Sequence, residues 1–331
     1  MTSFERPNHI LSSDQFNLDF LIYMYNLTNT IRRFDKSKDG LLYLKSLLPH
    51  RRAMLYFTQP STRTFLSFNA ASSIVGMESF EIRDRSTSSE LKGESIEDSL
   101  RTFSSYVDLI IMRSPVAGLC NRIADYLDKT PRSIPIINAG SGPDEHPTQA
   151  LLDIYTLQRS LRSSNDFSGK TICFVGDLKR GRTVRSLAKL LTNFPGVRLV
   201  FCSPDAFKIE DDLRQYLKDK NCSFEETDQF EEPIASCDAI YMTRIQDEYD
   251  KDGESKTVDY SKFHLKESHL KIIKDNCTIM HPLPRRGELD PKIDYDPRAK
   301  YWRQERNGMW TRVALITMLL DADHHIVLPN L

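Results

Sequence analysis

Long apolar runs are missing from the sequence, which has no stretch near the roughly 20 apolar residues of a membrane-spanning helix. An excess of one charge is also missing, because 45 Lys and Arg residues face 46 Asp and Glu residues and leave a net charge of −1. This balance offers no global field for nucleic acid or an anionic membrane. The chain has only 13 glycines and 16 prolines among its 331 residues, which excludes collagen-like and low-complexity chains.

Paired cysteines are absent as well. The six cysteines are scattered without a C-x-x-C pair, at Cys120, Cys173, Cys202, Cys222, Cys237 and Cys277. Several lie in short apolar runs, which favours buried free thiols over a disulfide framework or a zinc site. The segment MTSFERPNHI lacks the basic-then-apolar pattern of a signal peptide. We therefore expect a cytoplasmic protein without a membrane anchor.

The sequence does contain a regular alternation of short apolar strands and amphipathic helices. The predicted strands span residues 53–57, 108–112, 134–137, 171–175, 197–202, 239–242 and 277–280. The predicted helices begin at Asn17, Ser61, Glu94, Pro147, Arg182, Asp211 and Trp310. Such alternation predicts mainly parallel sheets with helices on both faces. The pattern restarts near residue 165, so we expect an α/β fold of two doubly wound domains joined by long helices.

Polar motifs with anion-binding chemistry follow several of these strands. Gln59-Pro60-Ser61-Thr62-Arg63-Thr64 places hydroxyls and a guanidinium at a helix N-terminus, where unpaired N–H groups and the helix dipole attract a phosphate or another dense anion. The fingerprints G-x-x-x-x-G-K-[ST] and G-x-G-x-x-G are absent, which argues against P-loop enzymes and nicotinamide dehydrogenases. Taken singly, the motif is also typical of a capped helix with a surface arginine.

Further candidate residues stand at other strand ends. His146 immediately precedes Pro147, at the N-terminal edge of a helix, where the positive end of the dipole favours a neutral imidazole. The other motifs are Met112-Arg113-Ser114-Pro115, Gly176-Asp177-Leu178-Lys179-Arg180-Gly181-Arg182-Thr183, Thr243-Arg244-Ile245-Gln246 and His281-Pro282-Leu283-Pro284. Together they predict a cleft between two domains that binds a small polyanion, without saying which one.

These motifs, in their order along the chain, resemble a known family. The matching segments are PSTRT, SSELKGE, MRSP, HPTQALLDIYTL, GDLKRGRTVRSL, MTRIQ and HPLP. They are similar to those of the aspartate/ornithine carbamoyltransferases and cover nearly the whole chain. HPLP with Leu283, and MTRIQ with Arg244 and Gln246, follow the pattern of the aspartate enzymes rather than that of the ornithine enzymes.

The resemblance implies transfer of a carbamoyl group from carbamoyl phosphate to the α-amine of L-aspartate in pyrimidine synthesis. The residues that it implies for carbamoyl phosphate are Ser61, Thr62, Arg63, Thr64, Arg113, His146, Gln149 and the carbonyls of Leu283 and Pro284. Those given a catalytic role are Arg63, Thr64, Arg113, His146 and Gln149. Those implied for aspartate are Lys92, Arg182, Arg244 and Gln246. No cofactor and no metal are implied.

The resemblance also implies an assembly and a domain plan. Ser88 and Lys92 would reach a neighbouring subunit's site, so we expect a homotrimer with shared active sites, to which a regulatory subunit could bind. Residues 1–146, with the final helix of about 307–331 packed back on them, would bind carbamoyl phosphate, and residues 147–306 would bind aspartate.

Three positions depart from the family pattern. Gln59 replaces a usual acidic residue, Phe65 replaces a common arginine, and Tyr249 replaces an arginine that partners the acid. These changes put allosteric switching in doubt but not the chemistry. Two other functions remain open: a sister carbamoyltransferase that uses another amine, and a catalytically silent regulatory paralogue.

Overall fold

The chain forms two compact units in a computed structural model that describes residues 4–84, 93–142, 145–246 and 258–327. Unit 1 comprises Met1–Leu151 and Asn307–Leu331, and unit 2 comprises Leu152–Arg306. Two long helices, α6 (Pro147–Ser160) and α10 (Tyr301–Leu319), carry the chain from one unit to the other. No helix among the described residues is long and apolar enough to cross a membrane.

Unit 1 is built on a four-stranded parallel sheet with the strand order β2-β1-β3-β4. Its strands are β1 (Arg52–Phe57), β2 (Glu78–Ile82), β3 (Leu109–Ser114) and β4 (Ile136–Ser141). Its helices before α6 are α1 (Leu18–Phe34), α2 (Lys38–Lys45), α3 (Thr62–Ile74), α4 (Ile96–Ser104) and α5 (Leu119–Asp128). The direction of winding reverses between β1 and β3, and ligands of such sheets bind at the carboxyl ends of the two strands beside the reversal.

Local sequence explains the helices of unit 1. The side chain of Asn17 caps α1 by accepting a hydrogen bond from the Phe20 N–H at 2.9 Å. The 3–4 spacing of α1 buries Phe20, Met24 and Ile31. A contact between distant parts of the sequence also joins the two segments of unit 1: Arg312 of α10 donates a hydrogen bond to Ser67 Oγ of α3 at 2.6 Å.

Unit 2 contains a five-stranded parallel sheet with the strand order β7-β6-β5-β8-β9. Its strands are β5 (Thr171–Val175), β6 (Arg198–Cys202), β7 (Ser223–Thr227), β8 (Ala239–Met242) and β9 (Thr278–Met280). The remaining helices are α7 (Arg182–Leu191), α8 (Asp211–Asp219) and α9 (Glu231–Ser236). Winding reverses between β5 and β8, which places the expected ligand edge of this unit at the carboxyl ends of those two strands. Two parallel sheets with helices confirm the predicted fold class.

The cysteines are free, as predicted, and those of the strand core are deeply buried. Cys173, Cys237 and Cys277 all lie within one apolar cluster of unit 2, and Cys120 lies in the apolar cluster of unit 1. Burial raises the pKa of the Cys120 thiol to about 12, so this group remains protonated and unreactive at neutral pH.

Several predicted boundaries were wrong. The strand expected at residues 134–137 runs instead over Ile136–Ser141, because the small buried residues after Ile137 continue to follow β3. The helix expected from Glu94 begins at Ile96, since Ser95 is the residue whose side chain caps it. The helix expected from Trp310 begins at Tyr301, one of its buried residues. Five elements were not predicted: α2, α5, α9, β2 and β7.

Candidate active site

The N-terminus of α3 lies at the carboxyl end of β1, beside the winding reversal of unit 1. Ser61 occupies the N-cap position, but its side chain makes no capping hydrogen bond. By contrast, the N-cap side chains of Asn17, Ser37 and Ser95 all accept a bond from their own helices. Ser61 therefore does not supply the usual side-chain acceptor to the first turn of α3, and a helix N-terminus of this kind is suited to binding an anion.

The next residues of α3 divide between solvent and interior. Thr62 and Arg63 are exposed, whereas Thr64 is buried and 7% exposed. Phe65, where the family pattern has an arginine, packs edge-on against Phe57 with ring centroids 5.4 Å apart. Thr62, Arg63 and Thr64 thus belong to one helical turn, and the packing of Phe65 against Phe57 holds that turn in position.

Arg113 lies within β3 and is almost completely buried, with 6% of its surface exposed. Its Nη1 donates a hydrogen bond to the Ala139 carbonyl of β4 at 3.0 Å. The neighbouring residue, Gly140, has φ = +120°, and a Cβ atom there would lie 2.6 Å from Arg113 Nη1. Gly140 therefore gives the guanidinium room to lie flat against β4.

His146 immediately precedes α6, and its carbonyl accepts the first backbone bonds of that helix, including one from Gln149 N–H at 2.9 Å. Its Nε2 lies 3.4 Å from Thr64 Oγ1 and its Nδ1 lies 3.5 Å from Thr148 Oγ1. Both distances are at the long end of the range for hydrogen bonds. Catalytic hydrogen bonds are often this long before a substrate binds and tighten afterwards.

Unit 2 has its own polar cluster at the ends of β5 and β8. Asp177, fully buried, follows β5 and accepts hydrogen bonds from the Arg180 and Gln246 N–H groups, both at 3.1 Å. Burial raises the pKa of this carboxyl above its usual value of 3.8, although both hydrogen bonds and the charge of Arg180 act in the opposite direction. The carboxylate thereby joins the turn after β5 to the loop after β8.

A glycine permits this close approach. Gly176 has φ = +125°, and a Cβ atom there would lie 2.3 Å from the Thr243 carbonyl and 2.5 Å from the Tyr260 hydroxyl. That hydroxyl donates to the same Thr243 carbonyl at 2.9 Å. The absence of a side chain at Gly176 therefore allows the carboxyl ends of β5 and β8 to pack closely, just before the segment that carries Arg244 and Gln246.

The candidate aspartate ligands are on segments that follow the ends of β5 and β8. Arg182 is the first residue of α7 and is half-buried. Arg244 is also half-buried and donates from Nη1 to the Ile245 carbonyl at 2.8 Å. With Gln246, these side chains place two guanidinium groups and an amide on adjoining segments of unit 2, a set suited to carboxylates.

The last candidate segment is the turn after β9. Leu283 has φ = +51° and precedes a cis peptide bond to Pro284. The Leu283 N–H donates to Nδ1 of His281 at 2.8 Å, and Nε2 of His281 lies 2.8 Å from Glu288 Oε1. Both of these side chains are buried, and burial lowers the pKa of His281 despite the adjacent carboxylate.

Comparison with known proteins identifies the family. The carbamoyl-P binding domain of the aspartate/ornithine carbamoyltransferases matches residues 8–159, and the Asp/Orn binding domain of the same family matches residues 168–319. The chain belongs to the aspartate/ornithine carbamoyltransferase family. Its predicted membership is thereby confirmed.

Individual family members are similar along most of their length. The chain is 38% identical over 313 residues to the chloroplastic aspartate carbamoyltransferase of Arabidopsis thaliana, covering 94% of this chain and 77% of that protein. It is 39% identical over 267 residues to the aspartate carbamoyltransferase catalytic subunit of Clostridium novyi, covering 81% and 85%.

Solved structures of family members share the fold. The catalytic subunit of M. Jannaschii aspartate transcarbamoylase has a TM-score of 0.84 at 33% identity, covering 95% of this chain and 98% of that one. Aspartate transcarbamoylase from Trypanosoma cruzi in complex with N-(phosphonacetyl)-L-aspartic acid has a TM-score of 0.84 at 32% identity, covering 96% of both chains.

The two units hold different parts of the predicted carbamoyltransferase site. Unit 1 contains Ser61, Thr62, Arg63, Thr64, Arg113, His146 and Gln149, and unit 2 contains Arg182, Arg244, Gln246, Leu283 and Pro284. Ser88, Lys92 and Tyr249 lie outside the described residues. Gln59 is half-buried, and its Oε1 has no hydrogen-bond partner among the residues that the structure describes.

Sequence reasoning missed four residues that shape the site. Gly140, Asp177, His281 and Glu288 were given no role, although Asp177 and His281 stand within motifs that were singled out. A glycine or a short acid directly after an apolar strand is the available signal, since parallel strands end at the ligand edge of a sheet. Glu288 carries no such signal, because only the fold brings it to His281.

One group of side chains in the part of the chain that the structure describes has the composition of a cation site. It consists of Asp321, Asp323 and His324. Arg6 forms ion pairs with both carboxylates, at 3.2 and 2.7 Å, and the Tyr23 hydroxyl also contacts Asp323. The Arg6 guanidinium already pairs with both carboxylates, so we assign no metal to this cluster.

Proposed function

We propose that this carbamoyltransferase forms N-carbamoyl-L-aspartate and phosphate from carbamoyl phosphate and L-aspartate, a step of pyrimidine synthesis. The observation that carries the proposal is the match of both family domains across residues 8–319, with relatives named aspartate carbamoyltransferase. The placement of the candidate anion ligands at the reversal of each sheet supports it.

Most of the residues assigned to carbamoyl phosphate belong to unit 1, whereas Leu283 and Pro284 belong to unit 2. The N-terminal turn of α3, with Ser61, Thr62 and Arg63, binds the phosphate, and Arg113 adds a buried positive charge. Thr64, Arg113 and His146 donate to the carbonyl oxygen. Gln149 and the carbonyls of Leu283 and Pro284 accept from the carbamoyl NH2.

The reaction builds negative charge on the carbonyl oxygen when the amine of aspartate attacks. The new C–N bond forms, the C–O bond to phosphate breaks, and an oxygen of the leaving phosphate accepts the amine proton. Preorganised donors are the main catalytic contribution, and the loss of one donor typically costs about 3 kcal/mol of barrier. Arg113 and His146 suit that task because both are buried and oriented by their neighbours.

Aspartate is bound through its two carboxylates. Arg182 binds the α-carboxylate, whereas Arg244 and Gln246 bind the β-carboxylate, and Lys92 adds a further positive charge. Two carboxylate clamps disfavour a diamine acceptor, which would bring like charge to both arginines. A silent paralogue is disfavoured because Arg63, Arg113, His146, Arg182 and Arg244 are all retained.

The direct test is colorimetric detection of the ureido product. Purified protein is mixed with carbamoyl phosphate and either L-aspartate or L-ornithine. We expect product with aspartate only. Product with ornithine would refute the roles of Arg244 and Gln246, and no product in either tube would favour the regulatory paralogue.

We also propose a homotrimer in which Ser88 and Lys92 complete a neighbouring subunit's site, and to which a regulatory subunit could bind. Mixing the inactive variants Lys92→Ala and Arg113→Ala tests the shared sites, since hybrid trimers would contain some intact ones. Recovered activity and a trimeric mass in sedimentation are expected. A monomeric mass, or no recovery after subunit exchange, would refute shared sites.

A cytoplasmic location is proposed for the protein. Six free cysteines suit a reducing compartment. Cell fractionation followed by immunodetection tests this, and recovery of the protein within an organelle would refute it.

A further inference from the structure

A chain of buried hydrogen bonds lies directly behind the Leu283–Pro284 turn of unit 2. It begins at Asp153 of α6, which is completely buried and accepts from the Tyr241 hydroxyl and from Gln304 Nε2, both at 2.7 Å. Oε1 of Gln304 then accepts from the His281 N–H at 3.1 Å. Three elements of unit 2 therefore converge on the residue that opens the turn.

Glu288 supports the opposite side of the same turn. Its Oε1 lies 2.8 Å from His281 Nε2, and its two carboxylate oxygens accept from the Arg286 N–H at 3.0 and 3.2 Å. The carboxylate thus holds the turn at both ends, residues 281 and 286. It is only 3% exposed, so water does not compete for these bonds.

The geometry fixes the tautomer of His281. Nδ1 receives the Leu283 N–H, so this nitrogen carries a lone pair, and the ring proton resides on Nε2 and points to Glu288. Burial keeps the ring neutral by lowering its pKa. A protonated ring would bring an N–H of Nδ1 against the N–H of Leu283, which would break the turn.

We propose that His281 is a positioning residue, whose Nδ1 acceptor holds the Leu283 N–H and thereby sets the direction of the Leu283 and Pro284 carbonyls toward the carbamoyl NH2. This inference rests on the proposed function, which assigns those carbonyls to carbamoyl phosphate. His281 touches no reacting atom, and its partners Glu288 and Gln304 fix it in turn.

Two substitutions of His281 distinguish the role of Nδ1 from the role of Nε2. His281→Asn retains an oxygen near the position of Nδ1 and loses the contact with Glu288. His281→Gln retains a donor toward Glu288 and loses the acceptor for Leu283. We expect His281→Gln to raise the KM for carbamoyl phosphate about tenfold, the usual effect of one unsatisfied buried donor. His281→Asn should stay within about threefold of the wild type.

Inhibition by inorganic phosphate serves as the control. A substitution that damaged the structure of the whole site would weaken phosphate binding as well as carbamoyl phosphate binding. Because phosphate has no amide group, its inhibition constant should stay within about twofold in both variants. Equal KM changes in the two variants, or a parallel loss of phosphate affinity, would overturn the proposal.

A second pair of variants keeps the test decisive if His281→Gln does not fold. Glu288→Gln retains an acceptor for the ring and should preserve the KM for carbamoyl phosphate, whereas Glu288→Leu should raise it with phosphate inhibition unchanged. If neither substitution changed the KM for carbamoyl phosphate, the positioning role of His281 would be refuted. The proposed carbamoyltransferase function would still stand if the wild type formed product with aspartate. If the wild type formed no ureido product, both would fall.

Discussion

Asp177 and Gln246 are joined by a hydrogen bond of 3.1 Å from the Gln246 N–H to the Asp177 carboxylate, across 69 positions of sequence. The bond ties the end of β5 to the loop after β8. Because the proposed function assigns Gln246 to the β-carboxylate of aspartate, we expect Asp177 to affect aspartate binding indirectly, by fixing the position of Gln246.

Removal of this carboxylate should weaken aspartate binding selectively. We expect Asp177→Ala to raise the KM for aspartate about tenfold or more, because two backbone N–H groups lose a charged acceptor. The KM for carbamoyl phosphate should change little, and steady-state kinetics with each substrate varied in turn checks this. A matched control is Asp166→Ala, an exposed acid of the same unit outside the site. Equal changes in both KM values would contradict a local role.

The protonation of Asp177 should make a measurable contribution to the pH dependence of the free energy of unfolding. Burial raises the pKa of its carboxyl above 3.8, so the folded protein retains this proton at a pH where the unfolded chain has released it. The contribution of Asp177 to the free energy of unfolding therefore falls as pH rises from about 3.8 through the raised pKa. Urea unfolding of wild type and Asp177→Asn across this range should show the variant gaining relative stability with pH. A pH-independent difference would argue for an ordinary pKa.

Gly140→Ala should impair the binding of carbamoyl phosphate. The added Cβ would lie 2.6 Å from Arg113 Nη1 and would hold φ = +120°, so the guanidinium must move. We expect a stability loss of about 1–3 kcal/mol and a KM for carbamoyl phosphate at least about tenfold higher. Gly118→Ala is the control, because Gly118 also has positive φ but nothing lies within 4 Å of its Cβ position. An unchanged KM in Gly140→Ala would refute the packing argument.

His146→Ala should reduce turnover far more than phosphate binding. The ring contacts Thr64 and Thr148, and the proposed function assigns it to the carbonyl oxygen of the substrate, where a donor acts mainly in the transition state. We expect kcat to fall about 100-fold or more, with the inhibition constant of phosphate within about threefold. His50→Ala, at an exposed position of the same unit, should leave both unchanged. Equal losses of turnover and phosphate affinity would show that His146 is no selective donor.

Thiol reactivity should distinguish Cys222 from the other cysteines. It is half-buried whereas the other five are buried, although burial still raises the pKa of its thiol to about 11. With a disulfide reagent at pH 8 we expect one slow reacting thiol in the native protein and six in urea. Cys222→Ser should abolish the native reaction. A rapid reaction of several thiols would mean that the cores open readily.

Regular amphipathic or apolar segments were predicted well from sequence. β5, α7 and β8 have the predicted limits, because each combines a short apolar run or a clear helical stripe with polar residues at its ends. The order of polar motifs after strands also predicted which residues would stand at the ligand edges, since parallel strands all end on the same side.

Edge strands and contacts between distant segments escaped prediction. β2 and β7 lie at the edges of their sheets and contain only exposed and half-buried residues, so no apolar run reveals them. α2 exposes Leu41 and Leu42, at 41% and 55%, against the usual helical pattern. The contact of His281 with Glu288 depends on how the turn after β9 folds back, which no local pattern records.

Unit 1 is assembled from both ends of the chain, and this has a consequence during synthesis. Residues 152–306 emerge from the ribosome as one continuous segment and can complete their sheet while translation continues. The first unit gains its second segment later, because Arg312 can donate to Ser67 only after α10 has been synthesised. A nascent chain stopped before residue 307 therefore contains all of unit 2 but lacks the second segment of unit 1, so unit 1 should reach its final stability only after unit 2 has been synthesised.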